Sequence, residues 1–331
     1  MSFLVVQSQI RNPKSEMLYL TESDVRQLLT MDAAIPLVEA AFRKLALDEA
    51  VNAPRQRVQT DAVMLHVLPA AAKTLNAIGF KAYTTGKFDA IFHVYLFDPK
   101  TGGLNAIIEA DYLGQVRTGA ASGVATKRLA RANANTVGLF GIGKQARTQL
   151  EAVCKVRNIR QARVFARDGA KLATFCKEMT ESCGTEVIPV TTPEEAAKDC
   201  DIVITATSAR DPILMGQWLS EGTHLNIVGS NFLGKAEVDT ETIRRANLLT
   251  IDSIEQGRLE AGDYARAFQE GAKSWADVIC FSRVLSGRTP GRESDADITI
   301  FKSLGLGIED VAVGAKVLEL AKAAGLGRKI I

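Results

Sequence analysis

The stretch from Thr136 to Leu150, TVGLFGIGKQARTQL, runs a short apolar strand into Gly141-Ile142-Gly143, with a helical pattern directly behind it. Residues of these types at this spacing suit the pyrophosphate of a dinucleotide. Gly141 permits the tight turn, Gly143 lets the backbone approach the phosphates, and Ala146 keeps the helix close to the strand. Lys144 and Gln145 fall in the first helical turn, where free N–H groups and a partial positive charge favour an anion. The motif follows a strand, opens a helix and lies in a βαβ unit ending at ARVFARD. That context separates a nucleotide site from a plain tight corner.

The end of the next strand bears on which nicotinamide is used. NAD enzymes usually place an acidic residue there to accept hydrogen bonds from the ribose hydroxyls. Here the strand ends Val164-Phe165-Ala166-Arg167, so Ala166 takes the acidic position and a cation follows. A missing carboxylate removes repulsion toward a 2′-phosphate, and Arg167 can pair with that phosphate. The expectation is NADP(H), with NAD(H) as the other possibility. In the competing reading Arg167 is a solvated surface residue and Asp168 does the acidic work one position on.

The chain around this motif has 331 residues, enough for two domains. A formal charge of +2 offers no global attraction to nucleic acid. No apolar run reaches the roughly 18 residues a membrane span needs. The opening MSFLVVQSQI lacks the basic region of a signal peptide, so the expected location is cytoplasmic. Five cysteines without a C-x-x-C pair argue against a disulfide framework. His66, His93 and His224 have no neighbour at ligand spacing, so no metal is expected, and His66 and His93 read as packed strand residues.

Thr21 with Asp24 forms a capping-box pattern, and Ile35, Val38, Phe42 and Leu45 predict an amphipathic helix from about Asp32 to Glu49. FHVYLFDPKTGGLNAIIE reads as a β-hairpin. The chain up to about Gln115 therefore looks like α+β with an antiparallel sheet. LGQVRTGAASGVATKRLA is a helix whose small residues allow close approach of another backbone or a cofactor. After Ala132 the pattern becomes strands alternating with helices: TVGLFGI, QARVFAR, TEVIPV, DIVITAT, HLNIVGS and NLLTID are candidate parallel strands. The segment FKSLGLGIEDVAVGAKVLELAKAAGLG reads as a turn and a helix.

Together VLPA, GFKAY, VYLFDPKTGGLNAIIEADYLGQVRTGAASGVATKRLA, VGLFGIGKQA, TATSARDPIL, VGSNFLGKAEVD and FKSLGLGIEDVAV resemble the ornithine cyclodeaminase/mu-crystallin family, over about Met17 to Gly327. The resemblance implies a Rossmann-type doubly wound parallel sheet, residues 132–305, inserted into an α+β substrate-binding and dimerisation domain, residues 1–131 plus 306–331. It implies a homodimer, for which the edge of the antiparallel sheet is the natural site. It also implies that Lys81 and Arg117 hold a substrate carboxylate, joined by Arg55 or Arg57. Both of these lie on one strand face, so both can point inward. A buried carboxylate needs such charge-assisted partners in any case. Thr205, Ala206 and Thr207, with Val228, Gly229, Ser303 and Gly305, should line the cofactor, and Thr118 should sit near the pyrophosphate.

One departure from the family bears on the reaction. Cyclodeaminases of this kind carry an aspartate after VGG, whereas this chain reads Val228-Gly229-Ser230-Asn231. An amide cannot act as a general base, which argues against ornithine cyclisation. What remains is hydride transfer to a C=N carbon beside a carboxylate, as in reduction of 1-pyrroline-2-carboxylate or 1-piperideine-2-carboxylate, with Asn231 orienting the substrate nitrogen or a water. An amino-acid dehydrogenase working on a 2-oxo acid and an amine is the second reading. A binding protein that holds NADPH without turnover is the third. The partner expected in every case is a small imino, amino or oxo acid. For its side chain Tyr83, Met64 and Phe92 are candidate pocket residues, although aromatics on such strands more often belong to a core.

Overall fold

A computed structural model describes residues 17–330 of the chain. The signal-peptide reading of MSFLVVQSQI lies outside the described residues. The first part of the chain forms β1 (Met17–Leu20), α1 (Glu22–Leu28), α2 (Met31–Ala46), β2 (Ala50–Asn52), β3 (Gln56–Gln59), β4 (Met64–Ala72), β5 (Ala77–Thr85), β6 (Ile91–Phe97), β7 (Leu104–Glu109) and α3 (Asp111–Leu129). The middle follows as β8 (Thr136–Phe140), α4 (Lys144–Val156), β9 (Gln161–Phe165), α5 (Gly169–Cys183), β10 (Glu186–Pro189), α6 (Pro193–Ala197), β11 (Ile202–Thr205), β12 (His224–Ile227), α7 (Thr240–Arg245) and β13 (Leu248–Ile251). The chain closes with α8 (Ile254–Glu260), α9 (Gly262–Gln269), β14 (Val278–Cys280), α10 (Phe281–Leu285), β15 (Thr299–Lys302), α11 (Gly307–Ala324) and β16 (Arg328–Ile330).

The Thr21–Asp24 capping box starts α1, and α2 buries Ile35, Val38 and Phe42 on one stripe. The hairpin is β6 and β7, paired antiparallel. One sheet runs β16-β1-β7-β6-β5-β4-β2, with β3 on β4. It is mixed rather than purely antiparallel, because β1 lies parallel to β7. Pleat alternation sends His66 and Leu68 of β4, Lys81 and Tyr83 of β5, and Phe92 and Val94 of β6 to one face. The register makes cross-strand rows of them, with His66 opposite Tyr83, Tyr83 opposite Phe92, Leu68 opposite Lys81, and Lys81 opposite Val94. Helices α2, α3 and α11 pack on the core side of this sheet.

The second sheet is wholly parallel, in the order β10-β9-β8-β11-β12-β15-β13-β14. This is the Rossmann-like α/β arrangement expected. The strand order reverses beside β8, and ligands of such sheets bind at that crevice outside the carboxyl ends. Two of its strands, β14 and β15, go unread in the sequence. Central β15 is only four residues long, TIFK, between a charged loop and a glycine-rich turn. Helix α3 joins the two layers. A Cβ on Gly119 would lie 2.3 Å from the Thr148 carbonyl oxygen, so glycine there lets α3 and α4 touch backbone to backbone.

Candidate active site

A cavity of about 290 Å³ opens between the β4–β6 face, the start of α3 and the loops after β12 and β15. It is lined by Arg55, Lys81, Arg117, Thr118, Gln145, Val228, Gly229, Asn231, Ser303 and Gly305, with His66, Tyr83 and Phe92 as walls. Met64, the other side-chain candidate, is not among the lining residues.

The cations here are buried, and carboxylates that the sequence reading did not single out hold them. Lys81 Nζ donates to Asp310 Oδ1 at 2.9 Å. Arg117 Nε donates to the same oxygen at 3.0 Å, and its Nη1 donates to Glu309 Oε2 at 2.7 Å. Burial pushes Lys81 down to about 8, with Arg117 and Arg55 adding to the fall and Asp310 opposing it. Burial also lowers Arg117, but Asp310 and Glu309 outweigh it and hold that guanidinium above its ordinary value. Glu309 is pushed up by burial to about 7. Gly305, at φ +78°, is needed where it stands, since a Cβ there would lie 2.6 Å from Arg117 Nη1.

Arg55 and Arg57 share one partner, Glu260, at 2.7 and 2.6 Å. Arg55 spends its two Nη groups on Glu260 and on the carbonyls of Leu304 and Gly305, and its buried Nε has no partner among the described residues. Arg57 uses all three nitrogens on the protein. Nη1 pairs with Glu260, Nε donates to His66 Nδ1 at 3.2 Å, and Nη2 donates to the Asn231 carbonyl at 3.1 Å. An Arg Nε–H can only donate, so His66 Nδ1 accepts and Nε2 carries the proton toward Thr85 Oγ1, 3.0 Å away. Burial, with Arg57 and Arg55, pushes His66 down to about 4, and its ring stacks on Tyr83 at 4.2 Å. His66 is thus a wall of the cavity as well as a strand residue.

Beside the cavity lies the glycine turn. Gly141 has φ +104°, and a Cβ there would meet the Ala206 carbonyl oxygen at 2.5 Å. Gly143 caps α4 without a side-chain hydrogen bond, and a Cβ on it would meet nothing within 4 Å. Ala146 is buried, and Gln145 Oε1 has no partner among the described residues. Uncapped amides, open space at Gly143 and a glutamine amide nearby fit a dinucleotide pyrophosphate. Lys144 turns aside to Asp111 at 2.6 Å. Thr205 and Thr207 give their hydroxyls to Glu237, which also accepts from Gly229 N at 2.7 Å. Burial pushes Glu237 upward, and Lys302 opposes the shift. Thr118 donates to its own helix at Gly114, and Ala166 is half-buried at the end of β9.

The matching family model, described as ornithine cyclodeaminase/mu-crystallin family, covers residues 15–325. The chain belongs to the ornithine cyclodeaminase/mu-crystallin family. Among its members, a Delta(1)-pyrroline-2-carboxylate reductase of Bacillus cereus is 33% identical, covering 95% of this chain and 99% of that protein. A Thermococcus litoralis Delta(1)-pyrroline-2-carboxylate reductase in complex with NADH and L-proline is 35% identical, with a TM-score of 0.90 over 95% of this chain and 100% of the other. An archaeal alanine dehydrogenase dimer with bound NAD is 34% identical, with a TM-score of 0.90 over 96% of this chain and 99% of the other.

Those two family structures overturn the expectation of NADP(H), since one holds NADH and the other NAD. The geometry at the end of β9 supplies the reason. Arg167 is exposed and makes no ion pair among the described residues, while the carboxylate of Asp168 follows immediately. Asp168 caps α5 through Lys171 N at 3.2 Å and pairs with Lys171 Nζ at 3.0 Å, so a carboxylate stands fixed two positions beyond Ala166. Arg167→Ala is therefore expected to change the KM for NADH by less than about twofold, the range of an ordinary surface substitution. Steady-state kinetics with varied NADH check this, and a loss of tenfold or more would return Arg167 to the cofactor site.

Proposed function

We propose that this protein is an NAD(H)-dependent reductase of a C=N bond beside a carboxylate, converting a cyclic ketimine such as 1-pyrroline-2-carboxylate to the cyclic L-amino acid. The observation that carries it is the convergence of Lys81, Arg117 and Arg55 on one aromatic-walled cavity next to the glycine turn. The 132–305 region would hold the nicotinamide cofactor, and residues 1–131 with 306–331 the substrate. Gly141, Gly143, Gln145 and Ala146 would cradle the pyrophosphate, Asp168 the ribose, and Thr205–Thr207, Val228, Gly229 and Ser303 the remainder. When bound, the cofactor supplies the hydride.

The protein's part is to bind, orient and hold a proton. Arg117 Nη2 makes no hydrogen bond among the described residues, so it remains for the substrate carboxylate. Arg57, with its fork already spent, would bind no substrate and instead secure the loop that bears Asn231. Lys81 gives one of its three donors to Asp310. The others can reach the imine nitrogen, which must be protonated before its carbon accepts hydride. The Asn231 amide would orient that nitrogen. Tyr83, Phe92 and the neutral His66 ring exclude water and offer no anion to a second amine, which suits a ring better than a diamino acid.

Because the proton resides on Lys81, kcat/KM for the imine is expected to fall as pH rises through about 8. A pH–rate profile without an alkaline limb would remove Lys81 from that role. The identity test is NADH consumption with 1-pyrroline-2-carboxylate, then with pyruvate and ammonia, NADPH being run in parallel. The structural match to an alanine dehydrogenase favours the oxo-acid reaction as the second reading. Turnover on pyruvate and ammonia alone would put it first.

None of the described helices is long and apolar enough to cross a membrane. We further propose a homodimer formed through the outer face of the first sheet rather than its edge. There Phe80 stacks on Tyr95 at 4.7 Å, and Leu65, Ile78 and Ile91 of the same sheet are exposed.

A further inference from the structure

Asp310 stands in the first turn of α11 with its side chain fully buried. One of its oxygens, Oδ1, receives both Lys81 Nζ and Arg117 Nε, and Oδ2 has no partner among the described residues. Lys81 comes from β5, Arg117 from α3 and Asp310 from α11, so this oxygen is the point where three elements meet. We propose that Asp310 is the positioning residue of the site: a single carboxylate oxygen that fixes the spacing of the two substrate-side cations and keeps Lys81 charged. The inference rests on the reductase reading for its use, though not for its test.

The surroundings of Lys81 argue that Asp310 has no substitute. Arg117 and Arg55 both disfavour its charge, as does burial. The rings of Phe92 and Tyr83 lie 5.1 and 5.9 Å from Nζ, a weak attraction at such range. His66 on β4 is neutral, held by Arg57 and Thr85. Glu309 bonds Arg117 rather than Lys81 and, pushed up to about 7, is not fully ionised near neutrality. Asp252 Oδ2 accepts from the backbone N–H groups of Leu304 and Gly305, and Glu260 is taken by Arg55 and Arg57. Among the described residues, Asp310 is the one carboxylate in contact with Lys81. Its Oδ2 makes no hydrogen bond among the described residues that would compete with this arrangement.

The test reads the titration of Lys81 directly, by competitive labelling with trace acetic anhydride across pH, followed by digestion and mass spectrometry. In Asp310→Asn the midpoint is expected to move down by roughly one to three pH units, the size of losing an adjacent opposite charge. The alkaline limb of kcat/KM on 1-pyrroline-2-carboxylate should move with it. Asp310→Glu, which keeps the charge but displaces it, should restore the midpoint while kcat/KM stays low at every pH. Asp310→Ser, smaller and neutral, serves with the same expectation as the asparagine variant if that one melts early. A Lys81 midpoint unchanged in the neutral variants overturns the proposal, as does a loss of activity that is uniform in pH with no midpoint shift. If the wild type reduces no imine yet the midpoint still moves, the reductase reading fails and the assignment of Asp310 stands.

Discussion

Arg117→Ala is expected to lower kcat/KM on a carboxylated imine by about 3–5 kcal/mol, the range for unpairing a buried charge, or roughly two to four powers of ten. Three losses combine in that figure. The guanidinium that would face the substrate carboxylate disappears, and among the described residues Asp310 loses one of its two donors and Glu309 its only cation. The second of these lets Lys81 drift, because the oxygen that holds it no longer has a fixed position. Arg117→Lys should recover little, since a point charge on a flexible stem cannot bond Asp310, Glu309 and a substrate in one plane. Binding of NADH, followed by fluorescence, should change far less than kcat/KM, because the glycine turn and the end of β9 lie on other elements. Stability should fall in a pH-dependent way. Arg117 opposes the burial that raises Glu309 to about 7, so without it Glu309 keeps its proton to higher pH, and ionising it above 7 costs the variant stability that the wild type does not lose. The deficit in urea denaturation should therefore grow as pH rises through 7. Unchanged kinetics in Arg117→Ala would sink the substrate-site assignment.

How much of this site can be read in one dimension depends on how far apart its members lie. The glycine turn is local: strand, turn and helix follow within fifteen residues from Thr136 to Leu150, and hydrophobic period and turn chemistry reveal all three. The hairpin and the Thr21 cap are local in the same way. The site's charge pairs are not. Lys81 and Asp310 are 229 residues apart and Arg55 and Glu260 are 205 apart, and no period or propensity relates one to the other. One signal did exist. Glu309 and Asp310 interrupt an otherwise apolar helix start, Gly307-Ile308 before them and Val311-Ala312-Val313 after. Two adjacent acids on a buried stretch demand buried cations, and Lys81 and Arg117, read only as partners of a substrate carboxylate, are cations that the same motifs supply. His66 looked like core because burial and function coincide there: it packs on Tyr83 and lines the cavity with the same ring. The cofactor reading failed for a different reason. It preferred the charge of Arg167 to the competing reading of an exposed Arg167 beside an acidic Asp168, and a sequence carries no measure of that exposure. The four-residue strand β15 escaped because only Ile300 and Phe301 of it are apolar, and its last two residues, Phe301 and Lys302, read as the start of the turn before α11.

Lys302→Met is expected to cost about 3–5 kcal/mol of stability, the largest single loss we anticipate away from the substrate. Lys302 and Asp263 are both completely buried, 2.8 Å apart, at the end of β15 and the start of α9. The lysine also donates to the Ser230 carbonyl at 2.8 Å, one residue before Asn231. Methionine matches the lysine stem in length but leaves Asp263 as an uncompensated charge in a dry interior. Asp263 cannot turn away, because Oδ1 accepts from Glu237 N and Val238 N and so fixes the segment that carries the Glu237 clamp. Adding Asp263→Asn should recover much of the loss, since the amide oxygen can still accept those two N–H groups while the charge is gone. The double variant should nevertheless remain slow. The backbone beside Asn231 is held at three successive residues, Gly229 by Glu237, Ser230 by Lys302 and Asn231 by Arg57, and both variants release the middle one. Urea midpoints of the wild type, the two single variants and the double variant give the coupling energy. A Lys302→Met protein within about 1 kcal/mol of wild type would mean that water reaches this pair, and the three-point hold on the Asn231 loop would then have to rest on Glu237 and Arg57 alone.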